Sequence, residues 1–288
     1  MSEPADVSLN GQFLSDFNRL QVARSRRIVT GEELATHILQ FELEQLATPE
    51  LILGGESNLL PFHFLRTGDR VGRAVVKIRR GDGACGTGFM VAPDILLTNH
   101  HVLPERATAE HAWAMANYEV EVAGHTNYKR VNVALAPDSL FVNEPALDFA
   151  FCAVFGLEHL GVIAMDRATT PLAPNNLVNI IQHPRGRLKE VAIQENHLVK
   201  ADRVILHYAC DTEPGSSGSP VFDNEWKLLA LHHASLVSPD GLSAQGGKAN
   251  EKYLNEGIRI SAICHWLETN EAIQQLDPVK LNRLRSLF

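Results

Sequence analysis

The sequence predicts a mostly β protein, and three observations lead to that class. From residue 71 onward, strand-length apolar runs alternate with Gly-Asp and Pro-Asp turn signals, as in "VGRAVVKIRRGDGACGTGFMVAPDILLT". Further runs of this kind recur at 118–123, 131–135, 147–155, 177–182, 189–194, 197–200, 203–209, 219–223 and 227–232. Finally "GIRIS" (257–261) reads as a last strand before one helical stretch, "AICHWLETNEAIQQL". Many short strands with a single terminal helix favour barrels or sandwiches over a parallel α/β sheet.

Ahead of this body the texture is helical. Leu9, Phe13, Phe17 and Leu20 repeat at three-to-four spacing over residues 9–24, and Leu34, Ile38 and Phe41 do so over 30–47. "TGEE" (30–33) has the form of a capping box, with Thr30 as N-cap and Glu33 three residues on. The expected organisation is a helical leader over 1–65, available for docking to a regulatory protein, and a β-rich domain over 66–288.

Composition narrows the function classes. The net charge of −8 is spread along the chain, and the basic pairs Arg26–Arg27 and Arg79–Arg80 are too short to offset it, so nucleic-acid binding is not expected. No apolar run has the length of a membrane span. The first twenty residues lack the basic start and continuous apolar stretch of a signal peptide. Cys85, Cys152, Cys210 and Cys264 lie far apart without metal-ligand spacing, which reads as free thiols in a reducing cytoplasm. Neither a metal nor a cofactor is expected.

Three stretches carry chemistry. "LLTNHHVL" (96–103) sets His100 beside His101, and neighbours on an extended segment point to opposite faces, so one reacting centre uses only one of them. "ALDFAFCAVF" (146–155) puts Asp148 in an apolar run, where burying a carboxylate is costly unless it is paired; a histidine N–H is a natural partner. "DTEPGSSGSPVF" (211–222) surrounds Ser217 with glycines before a strand. There Gly215 lets the amides of Gly215 and Ser217 face one point, as an oxyanion hole requires. A hydroxyl nucleophile, an imidazole base and a buried carboxylate make up a serine hydrolase triad.

In the order His, Asp, Ser, the motifs "GTGFMVAPDILLTNHHVL", "LDFAF" and "GSSGSPVF" together resemble the chymotrypsin-like serine peptidases. Within that family the likeness is to the bacterial glutamyl-endopeptidase-like branch, whose serine motif ends Ser-Gly-Ser-Pro-Val. It covers residues 70–270 and leaves out the leader. The resemblance implies two antiparallel six-stranded β-barrels with the site between them, followed by a C-terminal helix. The family's base directly precedes the valine of "TNHHV", which implies His101 rather than His100. Ser217 is then the nucleophile, Asp148 the carboxylate that holds the ring, and a protein or peptide the substrate.

The same resemblance bears on specificity. Ungapped, Asp211 falls where trypsin keeps its pocket aspartate, which would favour lysine or arginine. Thr212 and His232 match positions with which glutamyl endopeptidases hold a glutamate side chain, and Ser235 is expected to bind substrate beside them. An acidic preference is the first choice and a basic one the second. His233, next to His232, could sit near Asp148, while "QHPRG" (182–186) reads as a turn with an exposed histidine. "SRRIVTGE" (25–32) looks like a zymogen cleavage site, but Ser216 lacks the charge that would pair with a freed terminus, so cleavage there is not expected. Two other readings stand beside the intracellular endopeptidase. One is a catalytically silent binding module; the other is the regulated protease arm of a bacterial defence pathway.

Overall fold

The computed structural model describes residues 59–121, 129–168, 171–193, 196–237 and 253–288. The helical segments 9–24 and 30–47, the capping box and "SRRIVTGE" lie outside the described residues. The elements below all belong to one compact unit, Pro61–Phe288.

Helix α1 (His63–Arg73) opens this unit. Phe64, Gly68 and Gly72 recur four apart and form its buried face. Trp226 docks on that face, donating from Nε1 to the carbonyl of Phe64 at 2.8 Å. Gly68 permits the contact, because a Cβ there would lie 2.5 Å from the indole.

Two antiparallel sheets follow. The first is built from β1 (Val75–Arg80), β2 (Cys85–Ala92), β3 (Ile95–Thr98), β4 (Ala112–Ala116), β5 (Val131–Ala134), β6 (Phe141–Glu144) and β7 (Phe149–Ala153), in the order β5-β4-β1-β2-β3-β7-β6. A short helix, α2 (Arg106–Glu110), interrupts it between β3 and β4. The second comprises β8 (Asn179–Gln182), β9 (Glu190–Ala192), β10 (His197–Ala201), β11 (Ile205–Ala209), β12 (Pro220–Phe222), β13 (Leu228–Val237) and β14 (Tyr253–Arg259), in the order β10-β11-β14-β13-β12-β8-β9. The expected mostly β, two-sheet architecture is therefore present, with seven strands hydrogen-bonded in each sheet where six were anticipated. β4 is the instructive miss. Its sequence, AWAMA, is alanine-rich and low in β propensity, so the strand was expected later, at 118–123. Its antiparallel pairing with β1 and β5 and its alternating burial reveal it.

The single C-terminal helix is three segments: α3 (Ile260–Thr269), α4 (Glu271–Gln274) and α5 (Pro278–Arg285). Asn270 causes the first break. Its backbone is extended (ψ 125°), and its side chain accepts from the amides of Ala272 and Ile273 to cap the next turn. Trp266 of α3 meets Phe149 edge-on at 5.1 Å, and Arg283 of α5 donates to Asp94 before β3 at 2.6 Å, so the helices brace the first sheet. Ile78, Phe89, Leu97 and Phe151 sit in the main core, and Ile180, Leu206, Tyr208 and Val221 in a smaller one within the second sheet. No helix among the described residues is long and apolar enough to cross a membrane.

Candidate active site

β2 and β3 supply the floor on which the site is assembled. Thr98 Oγ1 donates to the carbonyl of Thr87 at 2.7 Å, and the amide of Thr87 donates to the carbonyl of Ser217 at 2.8 Å. The serine turn is thereby fastened to the first sheet, while the amide of Gly218 donates to the carbonyl of His232 in the second at 2.9 Å. Gly215 and Gly218 turn the chain on either side of Ser217 at φ +100° and +88°. Both need to be glycine. A Cβ on Gly218 would stand 2.0 Å from the Thr87 carbonyl oxygen, and one on Gly215 2.8 Å from that of His183. Among the described residues, the amides of Gly215 and Ser217 donate to no protein group, and Ser217 Oγ makes no hydrogen bond.

His101 lies on the turn that follows β3. Its Nδ1 is 2.7 Å from Asp148 Oδ2, and its backbone amide donates to Asp148 Oδ1 at 2.9 Å. The carboxylate thus grips both the ring and the backbone of one residue. Asp148 was expected within a strand. It lies instead in the turn between β6 and β7 at φ +43°, a conformation that aspartate tolerates better than most side chains. Asn99 Nδ2 holds that turn by donating to the Asp148 carbonyl at 2.8 Å. Burial pushes the Asp148 carboxyl up, but hydrogen bonds from His101 and His233 outweigh it and hold the group well below the usual carboxylate range. His100 points elsewhere, with its Nδ1 3.0 Å from Asn143 Nδ2 on β6.

The turn before Ser217 is braced by its own surroundings. The amide of Ser216 donates to the Glu213 carbonyl at 2.9 Å, and Ser216 Oγ accepts from the Glu213 amide at 3.2 Å. Glu213 pairs with Arg185 at 3.0 Å and with Arg187 at 2.5 Å, and the Arg185 amide donates to the Pro214 carbonyl at 2.5 Å. The histidine of "QHPRG" was expected to be exposed. It is wholly buried, because its amide donates to Thr87 Oγ1 and its Nδ1 faces the Arg187 carbonyl at 3.1 Å.

A model of the trypsin-like peptidase domain matches residues 86–231, half of the chain, and the match takes in His101, Asp148 and Ser217. The chain belongs to the trypsin-like peptidase family. An uncharacterized protein, y4fB, of Sinorhizobium fredii (strain NBRC 101917 / NGR234) is 32% identical over 204 residues. These are 63% of this chain but 31% of that protein, so the chain spans less than a third of that relative's length. Among solved structures, an inactive form of Rv3671c from M. tuberculosis H37Rv superposes with TM-score 0.53 at 18% identity, covering 80% of this chain and 98% of that one. Deg5 does so with TM-score 0.52 at 17% identity, covering 73% and 97%. At these identities the two structures establish the fold.

In the trypsin-like peptidase domain the expected specificity residues differ in exposure and in partners. Asp211 is exposed, and its carbonyl accepts from Gln182 Nε2 at 3.0 Å. With Thr212 it borders a groove shared with Pro184, Arg187 and Glu213. Thr212 and Ser235 both donate to Asn255 Oδ1, at 2.7 and 2.8 Å. His232 is buried, with Nδ1 2.7 Å from the Tyr208 hydroxyl. Burial, then the nearby His233 and His101, push it down to about 3, so its imidazole is neutral. Cys210, beside this region, is pushed up to about 12 by burial and is no ready nucleophile. Among the described residues no cluster of three or more histidine, cysteine or acidic side chains has the arrangement of a metal site.

Sequence reading missed Glu256, His207, Tyr208 and Asn255. Glu256 carries the signal that singled out Asp148, a carboxylate inside a buried strand, but the last strand was expected to begin only at residue 257.

Proposed function

We propose that this chain is a serine endopeptidase acting inside the cell. Ser217 is the nucleophile, His101 the general base and acid, Asp148 the orienting carboxylate, and the amides of Gly215 and Ser217 the oxyanion donors. One observation carries the reading: Asp148 occupies Nδ1 and the backbone amide of His101 at once. The Nε2 lone pair is thereby left to accept a proton. Ser217 Oγ attacks the scissile carbonyl as His101 takes its proton, and the two free amides receive the negative oxygen. His101 then protonates the leaving amine, and water repeats the sequence on the acyl-enzyme. The unmade Ser217–His101 bond is consistent with this, since such bonds often tighten only with substrate in place. Four free cysteines, two of them buried, support a reducing setting.

The test is labelling by a fluorophosphonate together with peptide hydrolysis. Ser217→Ala should abolish both, with hydrolysis falling about 10⁴-fold or more. His101→Ala should be comparably damaging, and His100→Ala should stay within a few-fold of the parent. An unreactive parent protein would establish the silent binding module instead.

For the residue before the scissile bond, the acidic preference is proposed in a modified form. Among the described residues buried Tyr208 has no acceptor but His232 Nδ1, so its hydroxyl donates there and the His232 proton sits on Nε2. A neutral N–H then meets a glutamyl side chain by a hydrogen bond rather than an ion pair. The protons of Thr212 and Ser235 are already committed to Asn255. A glutaminyl side chain, which can also donate to those hydroxyl oxygens, should be cleaved within about ten-fold of a glutamyl one. His232→Ala should remove glutamyl cleavage, and Asp211→Asn should spare it. Cleavage confined to arginyl peptides and lost in Asp211→Asn would establish the basic alternative.

A further inference from the structure

β13 is not a regular strand. Its pairing with β14 runs His232↔Gly257 and then Ala234↔Glu256, so His233 is the extra residue of a β-bulge. A bulge re-aims the side chain it inserts. His233 accordingly leaves the Tyr208 side of the sheet, where His232 lies, and reaches across to the first sheet. Its Nδ1 is 2.9 Å from Asp148 Oδ2, the same oxygen that faces His101. Its Nε2 is 2.8 Å from Glu256 Oε1. Glu256 Oε2 is in turn 2.6 Å from Nε2 of His207, its cross-strand partner on β11.

Each nitrogen of the His233 ring therefore faces a carboxylate oxygen. A neutral imidazole has one N–H and can satisfy only one of them; an imidazolium satisfies both. We infer that His233 is an imidazolium linking Asp148 to Glu256, a positioning residue that fixes Asp148 and limits how strongly that carboxylate can hold a proton on His101. The inference rests on the reading of Ser217, His101 and Asp148 given above.

Five titratable groups surround this ring. Asp148 comes from the β6–β7 turn, His101 from the turn after β3, Glu256 from β14, His207 from β11 and His232 from β13 itself. Burial lowers the affinity of His233 for its proton, and the two carboxylates more than restore it. Glu256 is raised by burial and brought below its ordinary range by His233 and His207. The charge on His233 partly offsets that on Asp148. Removing it should shift the acid limb of the rate profile upward by about one unit.

The experiment uses the full chain and reads two quantities, one of which needs no activity. Nitrogen-15 spectra of the histidine rings in the parent protein should show both His233 nitrogens protonated at pH 7. In Glu256→Gln, loss of that proton should move to lower pH. The second readout is the pH dependence of kcat/KM. His233→Gln keeps an N–H for Asp148 without the charge, so its acid limb should rise by about one unit while KM changes less than about two-fold. His233→Ala should show the same rise and a further fall in kcat of about ten-fold, which His233→Gln restores. A neutral His233 ring at pH 7 would overturn the inference, as would a His233→Gln acid limb that stays in place. An active protein with either result would leave the proposed peptidase function standing. A parent inert to fluorophosphonate would fail that function while the ring spectra still judged the His233–Glu256 link.

Discussion

Gly218 turns the chain immediately behind Ser217 in a left-handed conformation, with the Thr87 carbonyl where a Cβ would go. Gly83 has nearly the same φ, +89°, but open space around it. Comparing the two separates backbone preference from packing. Gly83→Ala should cost about 1 kcal/mol of stability, the ordinary penalty for a side chain at positive φ. Gly218→Ala adds an overlap with backbone that cannot move without parting β2 from the serine turn. It should cost more than about 4 kcal/mol or prevent folding. Urea denaturation of both variants checks this, and a Gly218→Ala protein as stable as Gly83→Ala would contradict the packing argument.

At the scale of elements, α1 depends on one close approach. Its carbonyl at Phe64 receives the Trp226 indole, and Gly68 leaves room for the ring face. Gly68→Ala should raise intrinsic helix propensity yet destabilise the unit by about 1–3 kcal/mol, because overpacking against the indole exceeds the propensity gain. The change should appear as altered Trp226 emission and a lower denaturation midpoint; a stabilised variant would contradict it. Such contacts explain what could be read from the sequence. Local patterns pointed to a mostly β class, to an Asp148 in need of a histidine partner and to the glycine-lined serine turn, while the two-barrel architecture and the choice of His101 over His100 came from the family resemblance. The alanine-rich β4 and the buried His183 were not legible, because each is decided by a partner distant in sequence. The bulge at His233 is similar. Nothing in LLALHHASLV marks the extra residue, and only the pairing of Ala234 with Glu256 shows that one has been added.

For the whole molecule, the buried neutral histidines set the response to acid. His183 and His232 are each pushed down to about 3 from an ordinary 6.5, chiefly by burial. A depressed folded-state value means their stabilising contribution is complete above pH 6.5 and is lost as pH falls toward 3. His233 has the opposite sign, contributing most below the unfolded value and less as pH rises through its raised folded value. Among the described residues two such groups act against one, so stability should fall between pH 7 and pH 5, by roughly 2 kcal/mol for each buried neutral histidine before the His233 offset. Urea midpoints at the two pH values measure it. His183→Gln, which cannot titrate, should remove about half of the dependence from this pair, and an unchanged dependence would show that other groups govern it.

Asp148 also has a mechanical role. It belongs to a turn of the first sheet, while His233, which shares its oxygen, belongs to the second, and the Ser217 carbonyl and Gly218 amide span the same seam. A slide of one sheet past the other by a single ångström would separate these partners while every strand kept its neighbours. Catalysis would then act as a strain gauge on the seam. In rising urea, hydrolysis should fade before the far-ultraviolet circular dichroism of the strands changes, and coincident transitions would show that the sheets yield together.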